Sequence, residues 1–185
     1  WIHSLDADHM FDFIQKHPLY DDLWKMYNYE NRITLFRLPG LHIGGWYDCF
    51  SQGNLNAFMM SAPSEDQYII MGPWTHSKTM TDFQVGEITY PNINAIEKLE
   101  MILDFIEKYL KNRENSMAKY ERVQYYLMGE VNEPQIGWKK SDVWPPVNDS
   151  SFLYLHSDGL KTVKPEENQF SFTLFSDPLN PVPTL

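Results

Sequence analysis

Two residues in this chain have the types and the setting for acyl-transfer chemistry: Asp48, closing Gly44-Gly45-Trp46-Tyr47-Asp48, and His76, closing Gly72-Pro73-Trp74-Thr75-His76. A carboxylate beside an imidazole holds the ring in one tautomer and orientation, and the imidazole then removes and returns the proton of an attacking hydroxyl. Asp48 is thereby cast as the orienting acid and His76 as general base, then general acid. Either motif alone is a weak signal, because aromatic residues beside a turn ordinarily just pack. Position joins them, since each follows an apolar run that stops at glycine.

The elements that must position the pair follow from the same residues. Residues 33–46 are apolar with few charges and contain Thr34, Leu35, Leu38, Leu41 and Ile43, which predicts a buried parallel strand near its end. Gly44-Gly45 allows a tight turn that exposes the acid. Residues 50–60 predict a helical crossover ended by Pro63 and Ser64, and Gln67-Tyr68-Ile69-Ile70-Met71 predicts a second strand that stops at Gly72-Pro73. Strand, helix, strand at this spacing is a βαβ unit with a right-handed crossover. Ligands of open α/β sheets bind at the carboxyl edge of the strands. Adjacent parallel strands would set an Asp48 oxygen about 2.6 to 3.2 Å from a His76 nitrogen. Trp46, Tyr47, Phe50 and Trp74 border the pair, where apolar bulk excludes water and shapes an acyl pocket; core packing suits Trp46, Tyr47 and Trp74 equally well.

Elsewhere the chain falls into two halves of different character. Residues 1 to about 30 read as helical, with Leu5, His9, Phe13 and Ile14 at helical spacing, Pro18 as the break, and Leu23 and Tyr27 on a second helix. His3, Asp6, Asp8 and His9 match no zinc or calcium spacing and read as a solvated helix face. A helix over 94–112 places Ile96, Leu99, Leu103, Ile106 and Leu110 toward the core and Glu97, Lys98, Glu107 and Lys108 toward water. Asn94 and Glu97 stand in capping-box positions. After a polar stretch at 112–119, alternating segments at 122–128, 152–156 and 170–175 read as all-β, which puts a domain boundary near 113–120. His17, His42 and His156 read as structural.

Composition bounds the function classes. An apolar share of 43% with 15% aromatics supports a packed core. Fifteen basic against 25 acidic residues, for a net charge of -10 and with no basic run, argue against a nucleic-acid partner. There is no apolar stretch near 18 residues and no signal-peptide pattern, so no membrane partner is expected. Localisation stays open between cytoplasm and secretion, with the cytoplasm slightly favoured. The single cysteine, Cys49, excludes an internal disulfide and reads as a buried small apolar residue.

Residues 39–76 resemble the CocE/NonD group of α/β-hydrolases, which includes cocaine esterases and X-Pro dipeptidyl-peptidases, and acid before histidine is the chain order of that fold. His17-Pro18-Leu19-Tyr20-Asp21-Asp22-Leu23-Trp24 resembles the segment by which the family leaves its helical cap. Val123-Gln124-Tyr125-Tyr126-Leu127-Met128-Gly129, with Trp138 and Trp144-Pro145-Pro146, resembles the start of its C-terminal jelly roll, and Asp177-Pro178-Leu179-Asn180-Pro181-Val182-Pro183-Thr184 a turn-rich segment within it. The resemblance implies an α/β fold: the end of a cap over 1–30, the C-terminal part of an α/β-hydrolase sheet over 31–115, and part of an all-β jelly roll over 116–185. It implies Trp138 and Trp144 at the interface of those two domains and Phe50 in the wall of the active site. A Ser-His-Asp hydrolase of carboxylic esters or amides follows, with a small-molecule acyl ester, amide or short peptide as partner, no metal or organic cofactor, and the oligomeric state open.

One departure from the family pattern matters. No serine here lies in a Gly-x-Ser-x-x-Gly elbow, so the nucleophile and the oxyanion donors are expected upstream, and the chain reads as an interior piece of a longer polypeptide. Two other readings stay beside the esterase: an X-Pro dipeptidyl-peptidase, and a non-catalytic jelly-roll module that binds carbohydrate or protein.

Overall fold

The structure is a computed structural model that describes residues 8–33, 38–61, 66–76, 84–93, 96, 98–114, 117–130, 133–147, 149–166, 173 and 175–181. Three short helices come first: α1 (Asp8–Lys16), α2 (Asp22–Tyr27) and α3 (Glu30–Ile33). Between the first two, the His17-to-Trp24 segment closes on itself. Asp21 caps α2 by accepting the backbone N–H groups of Leu23 and Trp24 at 3.0 and 3.4 Å, while its other oxygen lies 2.6 Å from His17 Nδ1. Trp24 Nε1 donates to the His17 carbonyl at 2.8 Å. The polar residues of this motif thus build the bend that Pro18 begins.

The predicted βαβ unit is present as β1 (Gly40–Tyr47), α4 (Ser51–Ser61) and β2 (Gln67–Thr75), with β1 and β2 parallel. The strand predicted over 33–46 starts only at Gly40; Ile33 ends α3, and residues 34–37 lie outside the described set. A small hairpin, β3 (Gln84–Val85) with β4 (Ile88–Thr89), is followed by α5 (Lys98–Tyr109), β5 (Val123–Leu127) and β6 (Gly137–Ser141). The sheet order is β1-β2-β5-β6, with β5 parallel to β2 and β6 antiparallel at the far side. Eight of the nine β2 residues are buried, as befits the strand covered on both faces. Phe58 of α4 packs with Ile69, Met71 and Val123 on one face; Met101 of α5 packs with Tyr68, Ile70, Trp74 and Tyr126 on the other.

Three predictions change here. First, β5 and β6 complete the same sheet as β1 and β2, so hydrogen bonding runs straight through the predicted change of domain near 113–120. Beyond Ser141 the described residues form one hairpin, β7 (Tyr154–His156) with β8 (Gly159–Lys161), and of the strand predicted over 170–175 only Thr173 and Phe175 are described, outside any strand. Second, α5 turns a different stripe inward: Lys98 and Met101 are buried, with Phe105 and Tyr109 packed beside Met101, and Leu99, Leu103 and Leu110 are exposed. The helix is apolar on more than one face, and the aromatic-rich one covers the sheet. Burial pushes the Lys98 ammonium down to about 8, and it rests 3.7 Å from the centre of the Trp74 ring. Third, Cys49 is exposed, because it lies in the turn after β1 rather than in the strand. The capping-box residues Asn94 and Glu97, and His3 and Asp6, lie outside the described residues.

A register shift at the carboxyl end of the central pair decides what faces what. Gly45 pairs with Gly72, but Tyr47 pairs with Thr75, so β2 advances three residues while β1 advances two. The extra residue is accommodated at Pro73-Trp74, where proline has no N–H to lose. Two glycines permit this. A Cβ on Gly72 would strike the Trp74 ring at 2.5 Å, and one on Gly45 would lie 2.1 Å from the Trp74 carbonyl oxygen. The second clash is with backbone and cannot be relieved by a rotamer change. Gly45→Ala should therefore destabilise the protein by about 1–3 kcal/mol or more, while Gly129→Ala, whose new Cβ would meet nothing nearer than Glu133 Oε2 at 3.8 Å, should stay within about 0.5 kcal/mol of wild type in denaturant unfolding.

Candidate active site

Counting on one residue from the Tyr47–Thr75 pair sets Asp48 opposite His76; without the shift Asp48 would stand opposite Thr75. The structure places Asp48 Oδ2 3.1 Å from His76 Nδ1. The other oxygen, Oδ1, accepts the backbone N–H of Phe50 at 2.8 Å, and the Asp48 carbonyl accepts the N–H of Ser51 at 3.1 Å. Asp48 is thus built into the approach to α4, whose amino end favours a negative charge. The two carboxylate oxygens are thus divided between the imidazole and the main chain. Burial of the carboxylate opposes its ionisation, but the Phe50 N–H and His76 outweigh that and hold the carboxyl below its ordinary value of 3.8. The acid side chain is 8% exposed and the imidazole 66%. A carboxylate acceptor at Nδ1 fixes the proton there, which leaves the Nε2 lone pair as the base.

The pair opens on a cavity of about 470 Å³. Phe50 lines it, with its ring centre 5.0 Å from that of His76 and tilted by 65°. Phe50, Gly53, Asn54 and Ala57 supply one face of the helical stretch that follows Asp48; Ile43 comes from β1 and Tyr29 from the turn before α3. Tyr29, Asn54, Gly53 and Ala57 carry no motif. The signal that could have found the last three is their spacing of three, four and seven residues from Phe50.

Trp46 and Trp74 are placed elsewhere. Trp46 donates Nε1 to the Tyr126 carbonyl at 2.8 Å and packs on Trp144, 6.0 Å between ring centres. Trp74 is fully buried against Trp138, and its Nε1 has no partner among the described residues. Both indoles serve the sheet, and so do Trp138 and Trp144. Tyr47 bonds the Tyr90 hydroxyl. His17, His42 and His156 are tied into structure. His42 Nε2 lies 3.1 Å from Gln67 Oε1, and since Gln67 Nε2 donates to Leu38 O at 2.6 Å, that oxygen is an acceptor and His42 the donor. Burial holds the His42 imidazole below its ordinary value, with Gln67 and Asn54 opposing. His156 Nε2 donates to Val163 O at 2.7 Å. Among the described residues no group of three or more metal-ligating side chains could hold an ion, and no helix is long and apolar enough to cross a membrane.

Comparison with known proteins adds three likenesses. Residues 1–78 match the X-Pro dipeptidyl-peptidase (S15) family. The cocaine esterase of Rhodococcus sp. (strain MB1 Bresler) is 26% identical over 191 aligned residues, which cover 95% of this chain and 32% of the esterase; the chain spans about a third of that relative's length. Among solved structures, an aminopeptidase from a marine sediment Thaumarchaeota archaeon superposes with a TM-score of 0.72 at 24% identity, over 94% of this chain and 29% of its own. A CocE/NonD family hydrolase of Staphylococcus aureus superposes with a TM-score of 0.63 at 21% identity, over 80% of this chain and 24% of its own. In its first 78 residues the chain is thus similar to the X-Pro dipeptidyl-peptidase (S15) family, over most of its length to a cocaine esterase, and in fold to a CocE/NonD family hydrolase.

Proposed function

We propose that this chain supplies the acid and the base of a serine-dependent acyl hydrolase acting on carboxylic esters or amides. Asp48 orients His76 through Nδ1. His76 Nε2 takes the proton of a serine hydroxyl contributed by residues outside these 185, then returns it to the leaving oxygen or nitrogen. Phe50 forms part of the acyl wall. The observation that carries the reading is the division of labour at Asp48, with one oxygen 3.1 Å from the imidazole and the other on the Phe50 N–H, because a carboxylate so held cannot rotate away from its histidine. The match to the X-Pro dipeptidyl-peptidase family over residues 1–78 favours X-Pro peptides as a second substrate class, served by the same pair. No metal or organic cofactor enters either reaction.

In the full-length enzyme, Asp48→Asn should lower turnover by about 10⁴ with the fold intact, by analogy with the same change in a known triad. His76→Ala should do comparable damage, and the double variant little more, because the groups act as a unit. A panel of acyl esters and X-Pro anilides reads both the loss and the substrate class. Near-wild-type turnover by Asp48→Asn on every substrate the enzyme hydrolyses would remove Asp48 from the mechanism.

The ionisation of Asp48 also reaches stability. Its carboxyl titrates lower folded than unfolded, so its stabilising contribution is complete above the ordinary value of 3.8 and disappears as pH falls through the lower folded value. Wild type should therefore lose stability relative to Asp48→Asn on acidification through that range. Unfolding midpoints that run parallel for the two proteins across it would contradict the assigned hydrogen bonds.

A further inference from the structure

Among the described residues, Tyr29 is the part of the cavity wall that comes from before the βαβ unit. Its Oη donates to the Gly53 carbonyl of α4 at 2.8 Å, about one turn beyond Phe50. At the next residue, Glu30 Oε1 accepts from Asn56 Nδ2 at 2.8 Å, so two consecutive side chains fasten the turn before α3 to α4. A phenol whose hydroxyl is committed to a main-chain carbonyl presents mainly its ring to the space beside it. Burial and the neighbouring Glu30 raise the phenol's pKa, which keeps it a donor. Among the described residues outside its own helix backbone, a Cβ on Gly53 would meet within 4 Å only Tyr29 Oη, at 3.4 Å; on that side of α4 the tyrosine lies next to the helix.

We propose that Tyr29 is a specificity-determining residue, whose ring limits the size of the acyl group admitted beside Asp48 and His76. This rests on the acyl-hydrolase reading above. Small straight acyl groups fit against the ring, whereas a branched or aromatic acyl group requires it to be displaced. Apolar walls discriminate by size at about tenfold or more for a methylene-sized misfit.

The experiment measures kcat/KM for p-nitrophenyl acetate and p-nitrophenyl benzoate in the full-length enzyme, for wild type, Tyr29→Ala and Tyr29→Trp, with Asp48→Asn in parallel. The benzoate-to-acetate ratio should rise about tenfold or more in Tyr29→Ala and fall in Tyr29→Trp. Should Tyr29→Ala not fold, the fall in Tyr29→Trp decides alone. Ratios that stay within about twofold of wild type in the folded variants, while Asp48→Asn abolishes turnover, overturn the role of Tyr29 and leave the catalytic reading standing. Full turnover by Asp48→Asn overturns that reading, and this inference with it.

Discussion

The extra residue in β2 is the constraint on which the carboxyl edge of the sheet depends. A parallel pair in even register would bring Thr75 opposite Asp48; the shift between Gly45 and Tyr47 brings His76 there instead. The shift requires the Trp74 carbonyl to approach Gly45 so closely that no side chain could exist at that position, and the Trp74 ring to fold over Gly72. Gly45, Gly72, Pro73 and Trp74 therefore form one device, and the imidazole is aimed by backbone geometry rather than by a loop free to sample alternatives. A bulge beside a site commonly re-aims a side chain in this way.

The second half of the arrangement is that acid and pocket wall share one short piece of chain. Asp48 accepts the Phe50 N–H, its carbonyl receives the Ser51 N–H, and α4 then rises with Phe50, Gly53, Asn54 and Ala57 along the cavity. The packing of Phe58 against Ile69 and Met71 fixes the other side of that helix on the sheet. A displacement of α4 would thus move the Asp48 carboxylate and the cavity wall together, which links core packing beneath the helix to the geometry above it. The same helix receives the turn before α3 through Tyr29 on the Gly53 carbonyl and Glu30 on Asn56.

Much of this was legible in the residues, for reasons that differ by element. The βαβ unit was readable because a continuous apolar run ended by glycine has few alternatives to a buried parallel strand, and Asp48 and His76 because chemistry-bearing residues at two such ends are few. The register shift was not, since nothing in Gly72-Pro73-Trp74 says which residue goes unpaired until the partner strand is known. The face of α5 was misread for a related reason: Leu99, Leu103 and Leu110 make as good a helical stripe as Met101, Phe105 and Tyr109, and only the Trp74 and Tyr126 surface of the sheet chooses between them. The strand grammar at 122–128 and 152–156 has its counterparts in β5 and β7, but grammar does not say which sheet a strand joins. That depends on the long-range pairing of Ile69 with Val123.

The tryptophans beside the motifs show why proximity in sequence misleads about site walls. Strict alternation along a strand would put the residue two before Asp48 or His76 on the same face as it, but the register shift between Gly45 and Tyr47 and the turn that follows break the alternation, so that residue can belong to the core. Trp46 reaches across β2 to the Tyr126 carbonyl on β5, and Trp74 is sealed between Lys98 and Trp138. Each indole packs against residues of β5, β6 or their flanks, so the strands that carry Asp48 and His76 are fastened to chain roughly 60 to 100 residues further on. What the two indoles supply is rigidity of the strand ends. Phe50 alone of the aromatic residues near the acid escapes this role, because it follows the turn, where the alternation of the strand no longer dictates its direction, and its ring is left free to stand against His76.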